Sequence, residues 1–273
     1  MAMTSLIVGI RFTEGGKTYH FDASSCPDLQ VEDFVIVETS RGKQLGRIAV
    51  VASPKEVPGD HNWKPILRKA TPRDLVLRQV WEKKEEQVLR RCQELAGRYN
   101  LEEVKFVSAE YSLEGQNLIF LYSYEGKGDP SLGSLLNDLR QENSDTNVEL
   151  HRIGPRDAAK IIGGMGACGK EIRCCTEFMT DFNPISIKMA KIQGVSLAPS
   201  EITGMCGRLR CCLMHEHNLY VEAKKVLPHR GRTVNTPRGE GKVVRLDPLS
   251  RKVFVDLGES GVQEFDHQEV KSS

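Results

Sequence analysis

The chain has 273 residues, of which 39% are hydrophobic and 27% are charged, and its formal net charge at pH 7 is +1. This composition is typical of a soluble globular protein and excludes a chain that is strongly basic throughout. Apolar runs such as "NLIFLY" are too short to cross a bilayer, and the first residues lack the pattern of a secretory signal, so we expect a cytoplasmic protein.

Residues 1–60 are expected to form a small β module. Four short runs in this region are apolar throughout or alternate apolar with polar residues, as strands do. They read "LIVGIRF", "KTYHFDA", "DFVIVETS" and "LGRIAVVA".

Residues 61–165 are expected to form a central α+β layer that opens with a helix over "TPRDLVLRQVWEKKEEQVLRRCQELAGRYN". Thr71 is a suitable cap, Pro72 suits the first helical position, and Gly97 lies near the predicted end. The acidic and basic run 82–86 is interpreted as a solvated face. Apolar spacing predicts a buried stripe of Leu77, Val80, Trp81, Val88, Cys92 and Leu95.

The rest of the central layer alternates strands and short helices. "EVKFVSAEYSLEGQNLIFLYSYEG" predicts a hairpin, "PSLGSLLNDLRQEN" a helix, "NVELHRI" a strand and "GPRDAAKII" a helix. This order implies an antiparallel hairpin plus one right-handed crossover strand, with the helices on one face. We therefore predict an α+β fold class.

Residues 228–273 are expected to form a small SH3-like β-barrel. Its segment "VNTPRGEGKV" is similar to "VETSRGKQLGRI" of the first module, since both contain V-x-T followed by a turn with Arg-Gly. Convergence on a common turn and a related barrel at each end are both compatible with this similarity. A small barrel by itself does not establish function.

Residues 166–227 contain a repeated cysteine pattern, "GACGKEIRCC" and then "GMCGRLRCC". Gly169 and Gly207 allow each loop to turn back, so that a leading cysteine approaches its Cys-Cys pair. Two such loops supply at least the four thiolates that tetrahedral zinc or a four-iron cluster requires. The candidate ligands are Cys168, Cys174, Cys175, Cys206, Cys211 and Cys212.

The residues alone leave the chemistry of these thiols open between a metal or cluster site, a redox dithiol and structural thiols. The wide spacing favours an iron–sulfur centre over a zinc knuckle, although His215 and His217 could complete a zinc site if they do not simply lie on a helix surface. Arg173 and Arg210, which precede the Cys-Cys pairs, either lower the thiol pKa or point into solvent. The isolated Cys92 is expected in the core.

A second hypothesis is an RNA- or DNA-binding module with a structural zinc. Basic residues greatly outnumber acidic ones between Cys206 and Lys252, and we name Arg238 and Lys242 as candidate nucleic-acid contacts. A solvated surface would give the same excess. The sequence contains no phosphate-binding loop, no dinucleotide fingerprint and no thiol-hydrolase arrangement, so we expect no enzyme.

Five segments together resemble the bacterial YaaT/RicT-like proteins, which carry a PSP-type C-terminal domain. They are spread over most of the chain, and in one respect they depart from the family form, which places its first Cys-Cys pair one residue nearer the leading cysteine. The segments read "PILRKATPRDL", "RIGPRDAAKIIGGMGACG", "DFNPISIKMAKIQ", "CGRLRCCL" and "TPRGEGKVV".

The resemblance implies a cytoplasmic, non-enzymatic regulatory subunit that assembles with two small helical partner proteins. It implies an iron–sulfur cluster, of the 4Fe–4S type, held by the six clustered cysteines. It also implies action with an endoribonuclease complex in mRNA processing, with effects on biofilm formation, competence and sporulation.

Overall fold

A computed structural model describes residues 6–13, 16–52 and 63–272. The chain divides into two compact units, one made of Met1–Asp181 with Met205–Arg208 and the other of Phe182–Gly204 with Leu209–Ser273. Helices and several separate sheets occur together, which confirms the predicted α+β class.

The first unit contains five strands, then a long helix, and then a smaller layer of strands and helices. Its elements are β1 (Ile7–Arg11), β2 (Tyr19–Asp22), β3 (Phe34–Thr39), β4 (Gly42–Ala52), β5 (Ile66–Lys69), α1 (Pro72–Arg98), β6 (Val104–Tyr111), β7 (Asn117–Tyr124), α2 (Gly133–Glu142), β8 (Asn147–Arg152), α3 (Pro155–Ile162) and α4 (Cys174–Glu177).

The second unit contains short helices followed by five strands. Its elements are α5 (Ile187–Gln193), α6 (Pro199–Ile202), α7 (Cys212–His215), α8 (His217–Lys225), β9 (Thr233–Thr236), β10 (Gly239–Asp247), β11 (Lys252–Asp256), β12 (Val262–Asp266) and β13 (Lys271–Ser272).

The first five strands form one antiparallel sheet in the order β2-β1-β4-β3-β5. Alternating strand residues supply its main core, and Ile7 and Ile36 on the opposite face are buried as well. The predicted boundary of this module at residue 60 lies outside the described residues. The core includes Val8, Ile10, Val35, Val37, Ile48 and Ile66.

The central layer is a three-stranded sheet in the order β6-β7-β8. β6 and β7 form an antiparallel hairpin, whereas β7 and β8 pair in parallel with α2 between them in the chain. Both α1 and α2 pack against this sheet. The core between the layers includes Cys92, Leu95, Phe106, Phe120, Leu135, Leu139 and Val148.

The start of α1 is set by its first residues, as predicted. Thr71 caps the helix, Pro72 occupies the first turn, and Asp74 completes a capping box with Thr71. Asp74 also accepts hydrogen bonds from both terminal nitrogens of Arg68, at 2.6 and 2.9 Å. The Arg68 guanidinium, together with Thr71, holds the pKa of the Asp74 carboxyl well below its usual range.

The predicted apolar stripe of α1 is buried only in its later part. Trp81 and Val88 pack against the central core and Cys92 is fully buried, but Leu77 and Val80 are 37% and 55% exposed. Helical spacing identifies which residues share a face, but the length of the partner sheet decides how much of that face is covered. The prediction for Leu77 and Val80 was therefore wrong.

Glu85 was also predicted wrongly, because it lies inside the run interpreted as solvated. Its carboxylate is buried and accepts two hydrogen bonds from Arg78, at 2.7 and 2.9 Å. It also accepts the backbone N–H of Tyr111 on β6, at 2.6 Å. The Glu85 carboxylate thus pairs with Arg78 and also accepts a strand amide that would otherwise lack a partner, and it connects α1 to the sheet.

The last five strands form an antiparallel sheet in the order β12-β11-β10-β9-β13. Among the residues that the structure describes, β12 and β13 are the two ends of this order and do not pair with each other. Closure into the SH3-like barrel stays a prediction. The core consists of Leu227, Val234, Val243, Val253, Val255 and Phe265.

Each of the two five-stranded sheets contains a hairpin turn of the same type, and the two turns lie at the segments whose sequences are similar. Thr39 Oγ1 donates to the Gly42 carbonyl and accepts from the Arg41 N–H. Thr236 Oγ1 makes the corresponding bonds with the Gly239 carbonyl and the Arg238 N–H. Both glycines have positive φ, +92° and +124°, so the same side-chain and glycine chemistry closes both hairpins.

We expect Asp74→Asn to lower the free energy of unfolding by about 1–3 kcal/mol near neutral pH, because it removes a charge-assisted hydrogen-bonded pair and part of a helix cap. The folded-state pKa of Asp74 lies below its ordinary value, so this stabilisation is present above about pH 4 and is lost as the pH falls through the folded-state pKa. Urea unfolding over a series of pH values measures it. Asp129→Asn, which changes an exposed partner of Arg152, is the matched control and should be nearly neutral. A pH-independent loss in Asp74→Asn would contradict the prediction.

We expect Glu85→Ala to destabilise the chain by about 3–5 kcal/mol, because it leaves the Arg78 guanidinium and the Tyr111 amide without their acceptor. Glu86→Ala is the control on the same helix, since Glu86 forms an exposed pair with Arg90. It should change the free energy of unfolding by no more than about 0.5 kcal/mol. Equal losses in chemical denaturation would show that Glu85 is not the buried joint described here.

Candidate metal centre

The first cysteine loop is a tight turn between α3 and α4. The Gly169 N–H donates to the Gly166 carbonyl at 3.0 Å, and the Gly166 N–H donates to the Lys170 carbonyl at 2.8 Å. Gly169 has a φ of +85°, a conformation that favours glycine. The turn predicted at Gly169 is therefore confirmed, and it presents Cys168 at the surface.

The Cys174-Cys175 pair begins α4, and its two side chains lie in different surroundings. Cys175 is buried, at 7% exposure, whereas Cys174 is half-buried. The Lys170 ammonium, whose pKa is raised chiefly by its hydrogen bond to Glu177, also interacts with Cys174 and Cys168. These two thiols therefore lie near the same cation, as the loop-back arrangement requires.

The second cysteine loop contains a turn at the equivalent glycine. Thr203 and Leu209 form an isolated antiparallel bridge, and the Arg210 N–H donates to the Ile202 carbonyl at 2.8 Å. Gly207 has a φ of +73°, so the predicted turn is confirmed here as well.

The thiols of the second loop are all half-buried. Cys206 lies in the short segment Met205–Arg208 that belongs to the first unit, whereas Cys211 and Cys212 belong to the second. Cys211 is the N-cap of α7 and Cys212 its first residue. Cys212 also helps to raise the pKa of Tyr220, an effect to which burial contributes most.

The arginines before the two pairs do not simply point into solvent. Arg173 donates to the backbone carbonyls of Ala159 and Met165, at 2.5 and 3.1 Å. Arg210 donates to the carbonyls of Ser200 and Thr203, at 2.7 and 3.3 Å. Both guanidinium groups are thus engaged with the main chain rather than pointing into solvent. The repeated arginine was visible in the sequence, but its acceptors are backbone atoms that no sequence pattern marks.

The six cysteines are candidate metal ligands by residue type. Among the described residues, no three His, Cys, Asp or Glu side chains form a group that could hold a metal ion. None of the eight cysteines is joined in a disulfide. The assignment of the ligands stays a prediction. The donor set itself, thiolates on glycine turns, is the chemistry that zinc and iron–sulfur clusters select.

The remaining cysteines and the two histidines lie outside this donor set. Cys92 is fully buried in the central core, as predicted, and burial raises the pKa of its thiol to about 12. Cys26 packs at the margin of the first core. His215 is exposed at the end of α7, and the partly buried His217 begins α8.

Three of the basic residues near the C-terminus make side-chain contacts within the last sheet. Arg238 donates to Gln263 at 2.5 Å, Arg245 lies 3.8 Å from the centre of the Phe254 ring, and Lys252 pairs with Glu264. Lys242 is exposed on β10, opposite Thr233 and Asp256. Arg238 and Arg245 keep their charge in these contacts, whereas the charge of Lys252 is paired with that of Glu264.

Comparison with known proteins agrees with the resemblance seen in the motifs. Residues 64–153 match the family described as "PSP1 C-terminal conserved region", and residues 184–227 match "PSP1-like protein, third domain". The chain is also 38% identical over 257 residues to "Stage 0 sporulation protein YaaT" of Bacillus subtilis (strain 168), with 92% of this chain and 90% of that protein covered.

No solved structure matches the chain. Within the described ranges, no helix is long and apolar enough to cross a membrane. The assignment to a family therefore rests on sequence identity, which is 38% over nearly the whole of both chains. The chain belongs to the PSP1 family, as a YaaT-like member of it.

Proposed function

We propose that this protein is a non-enzymatic regulatory adaptor that holds an iron–sulfur cluster through its clustered cysteines and modulates an RNA-processing endoribonuclease complex. The observation that carries the proposal is the pair of similar loops. In each loop a cysteine precedes a glycine with positive φ, and the arginine before the Cys-Cys pair donates to a backbone carbonyl. A chain that keeps this arrangement twice keeps it for thiol chemistry rather than for packing. The similarity to a stage 0 sporulation protein is compatible with a regulatory role and supports the proposal.

The ligands proposed for the cluster are the six thiols of the two loops. A four-iron cluster requires four thiolates, so two remain for exchange or for contact with a partner. The cluster, once bound, would link the loops and make their arrangement sensitive to iron supply and oxidation. Because no three candidate ligand side chains form a group among the described residues, we propose that cluster insertion or partner binding completes the arrangement of the ligands. The candidate ligands are Cys168, Cys174, Cys175, Cys206, Cys211 and Cys212.

The partners proposed for this adaptor are small helical subunits and the endoribonuclease complex, on the strength of the family resemblance. The second candidate function is an RNA- or DNA-binding module with a structural zinc. The exposed basic residues of the second unit favour it, among them Arg230, Arg232, Arg238 and Lys242. The two functions differ in what they bind in the absence of partners.

We expect anaerobically purified protein to contain iron and acid-labile sulfide in about equal amounts, near four of each per cluster. Cys168→Ser should remove most of both. The control combines Cys26→Ser with Cys92→Ala and should keep them, because these thiols lie outside the loops and Cys92 is buried with a raised pKa. Metal and sulfide analysis measures the outcome. Zinc without sulfide would support the structural-zinc alternative, and metal loss in the control would show that the ligand set is wrong.

We expect the isolated protein to lack ribonuclease activity and to capture the two small helical subunits only when its cluster is present. Changing Cys211 and Cys212 together to serine should abolish capture in a co-purification assay. The alternative predicts tight RNA binding that weakens steeply with salt and falls on Arg238→Ala or Lys242→Ala. Salt-sensitive RNA binding together with iron-independent capture would overturn the adaptor proposal.

A further inference from the structure

The arginine of the first loop bridges two segments that precede the cysteines. Its Nη1 donates to the carbonyl of Ala159 in the last turn of α3, and its Nε donates to the carbonyl of Met165. Arg173 is also the N-cap residue of α4, which begins with Cys174. One side chain therefore connects the end of a helix, the approach to the leading cysteine, and the start of the cysteine pair.

The arginine of the second loop makes the same kind of bridge. Its Nη2 donates to the carbonyl of Ser200 in α6, and its Nε donates to the carbonyl of Thr203 just after that helix. Arg210 lies directly before Cys211, the N-cap residue of α7. In each loop one nitrogen of the guanidinium donates to a carbonyl of the preceding helix, and another donates to a carbonyl of the segment that leads to the leading cysteine.

These acceptors explain why arginine is needed. The Ala159 carbonyl also accepts the Gly163 N–H at 3.1 Å, so Arg173 supplies a second donor to it, and a cation near the C-terminal end of a helix is favourable. The planar guanidinium has several donors in a fixed fork and can serve two carbonyls at once, whereas a lysine ammonium is a point charge on a flexible stem. The requirement is therefore for the shape of the donor group as well as for its charge.

We propose that Arg173 and Arg210 are positioning residues, each a brace that ties the start of its Cys-Cys pair to the chain segment that precedes the leading cysteine. The brace itself follows from the contacts above, and its effect on metal binding rests on the proposed function. In this view the arginines act on the backbone and not as charges that activate the thiols. The two Arg-Cys-Cys segments are then two copies of one structural device: a short helix, a cysteine at a glycine turn, and an arginine that ties the pair back to the helix.

The first test uses metal-free protein and hydrogen exchange followed by mass spectrometry. Arg173→Lys should speed exchange of the turn amides of Gly166 and Gly169 by at least about tenfold, because the loop opens locally without its brace. Arg210→Lys should likewise speed exchange of the backbone N–H at position 210, which donates to the Ile202 carbonyl. Arg208→Lys is the matched control, an exposed arginine of the same loop, and should change nothing.

A comparison of lysine with glutamine separates the brace from a charge effect. If the arginines only supplied positive charge, lysine would behave as wild type and glutamine would not. A brace predicts that Arg173→Lys and Arg173→Gln lose protection to a similar extent. Protection that is kept in both lysine variants would overturn the proposal. So would a loss that spreads to the amides of α1, which would mean that Arg173 supports the whole unit rather than the loop.

The second test titrates the metal-free protein with Co²⁺ and follows the thiolate-to-cobalt charge-transfer absorption. Outer residues that hold metal ligands in place typically change affinity by about 10–100-fold when they are replaced. We expect both lysine variants to bind Co²⁺ at least about tenfold more weakly than wild type and Arg208→Lys. If wild type shows no cobalt–thiolate band while the exchange results hold, the proposed metal function fails and the brace stands.

Discussion

The cysteine region depends on hydrogen bonds from two arginine side chains to backbone carbonyls. Arg173 bonds the carbonyls of Ala159 in α3 and of Met165 after it, and Arg210 bonds those of Ser200 in α6 and of Thr203 after it. α4, α6 and α7 span four residues each, so their own length contributes little to their stability. Glycine turns then reverse the chain. The thiols are thus carried by backbone that is held by hydrogen bonds.

This arrangement contrasts with the rest of the molecule, where apolar cores hold the elements in place. Each of the three sheets has its own core, and the largest surrounds Phe120 between the central sheet and its helices. Among the described residues, the core beside the second cysteine loop has Ala190, Ile202 and Leu213 as its buried members. A segment with a small core has a lower local stability than the well-packed sheets.

Several charged side chains connect neighbouring elements within each unit. The buried Glu85 connects α1 to β6, and Arg41, in the turn between β3 and β4, pairs with Glu110 at 2.8 Å. In the second unit, an arginine stacks on Phe254 and a lysine pairs with Glu264. A paired charge such as that of Lys252 contributes less to the long-range field than an unpaired one, whereas the stacked arginine keeps its charge.

The sequence by itself determined the features that depend on neighbouring residues. Thr71 and Pro72 set the start of α1, alternation marked the strands, and Gly169 and Gly207 marked the turns, because capping, pleating and positive φ are local chemistry. The repeated thiol pattern was also visible, together with its family.

Only the tertiary structure decided which local features are covered and by what. Helical spacing placed Leu77 on the same face as Cys92, but the sheet reaches only the second of them. Glu85 sits in a charged run, yet its acceptor role depends on a strand amide 26 residues away. The role of Arg173 likewise depends on carbonyls 8 and 14 residues earlier. Backbone acceptors have no sequence signature, because every residue carries one, and folding alone determines which of them a distant arginine meets.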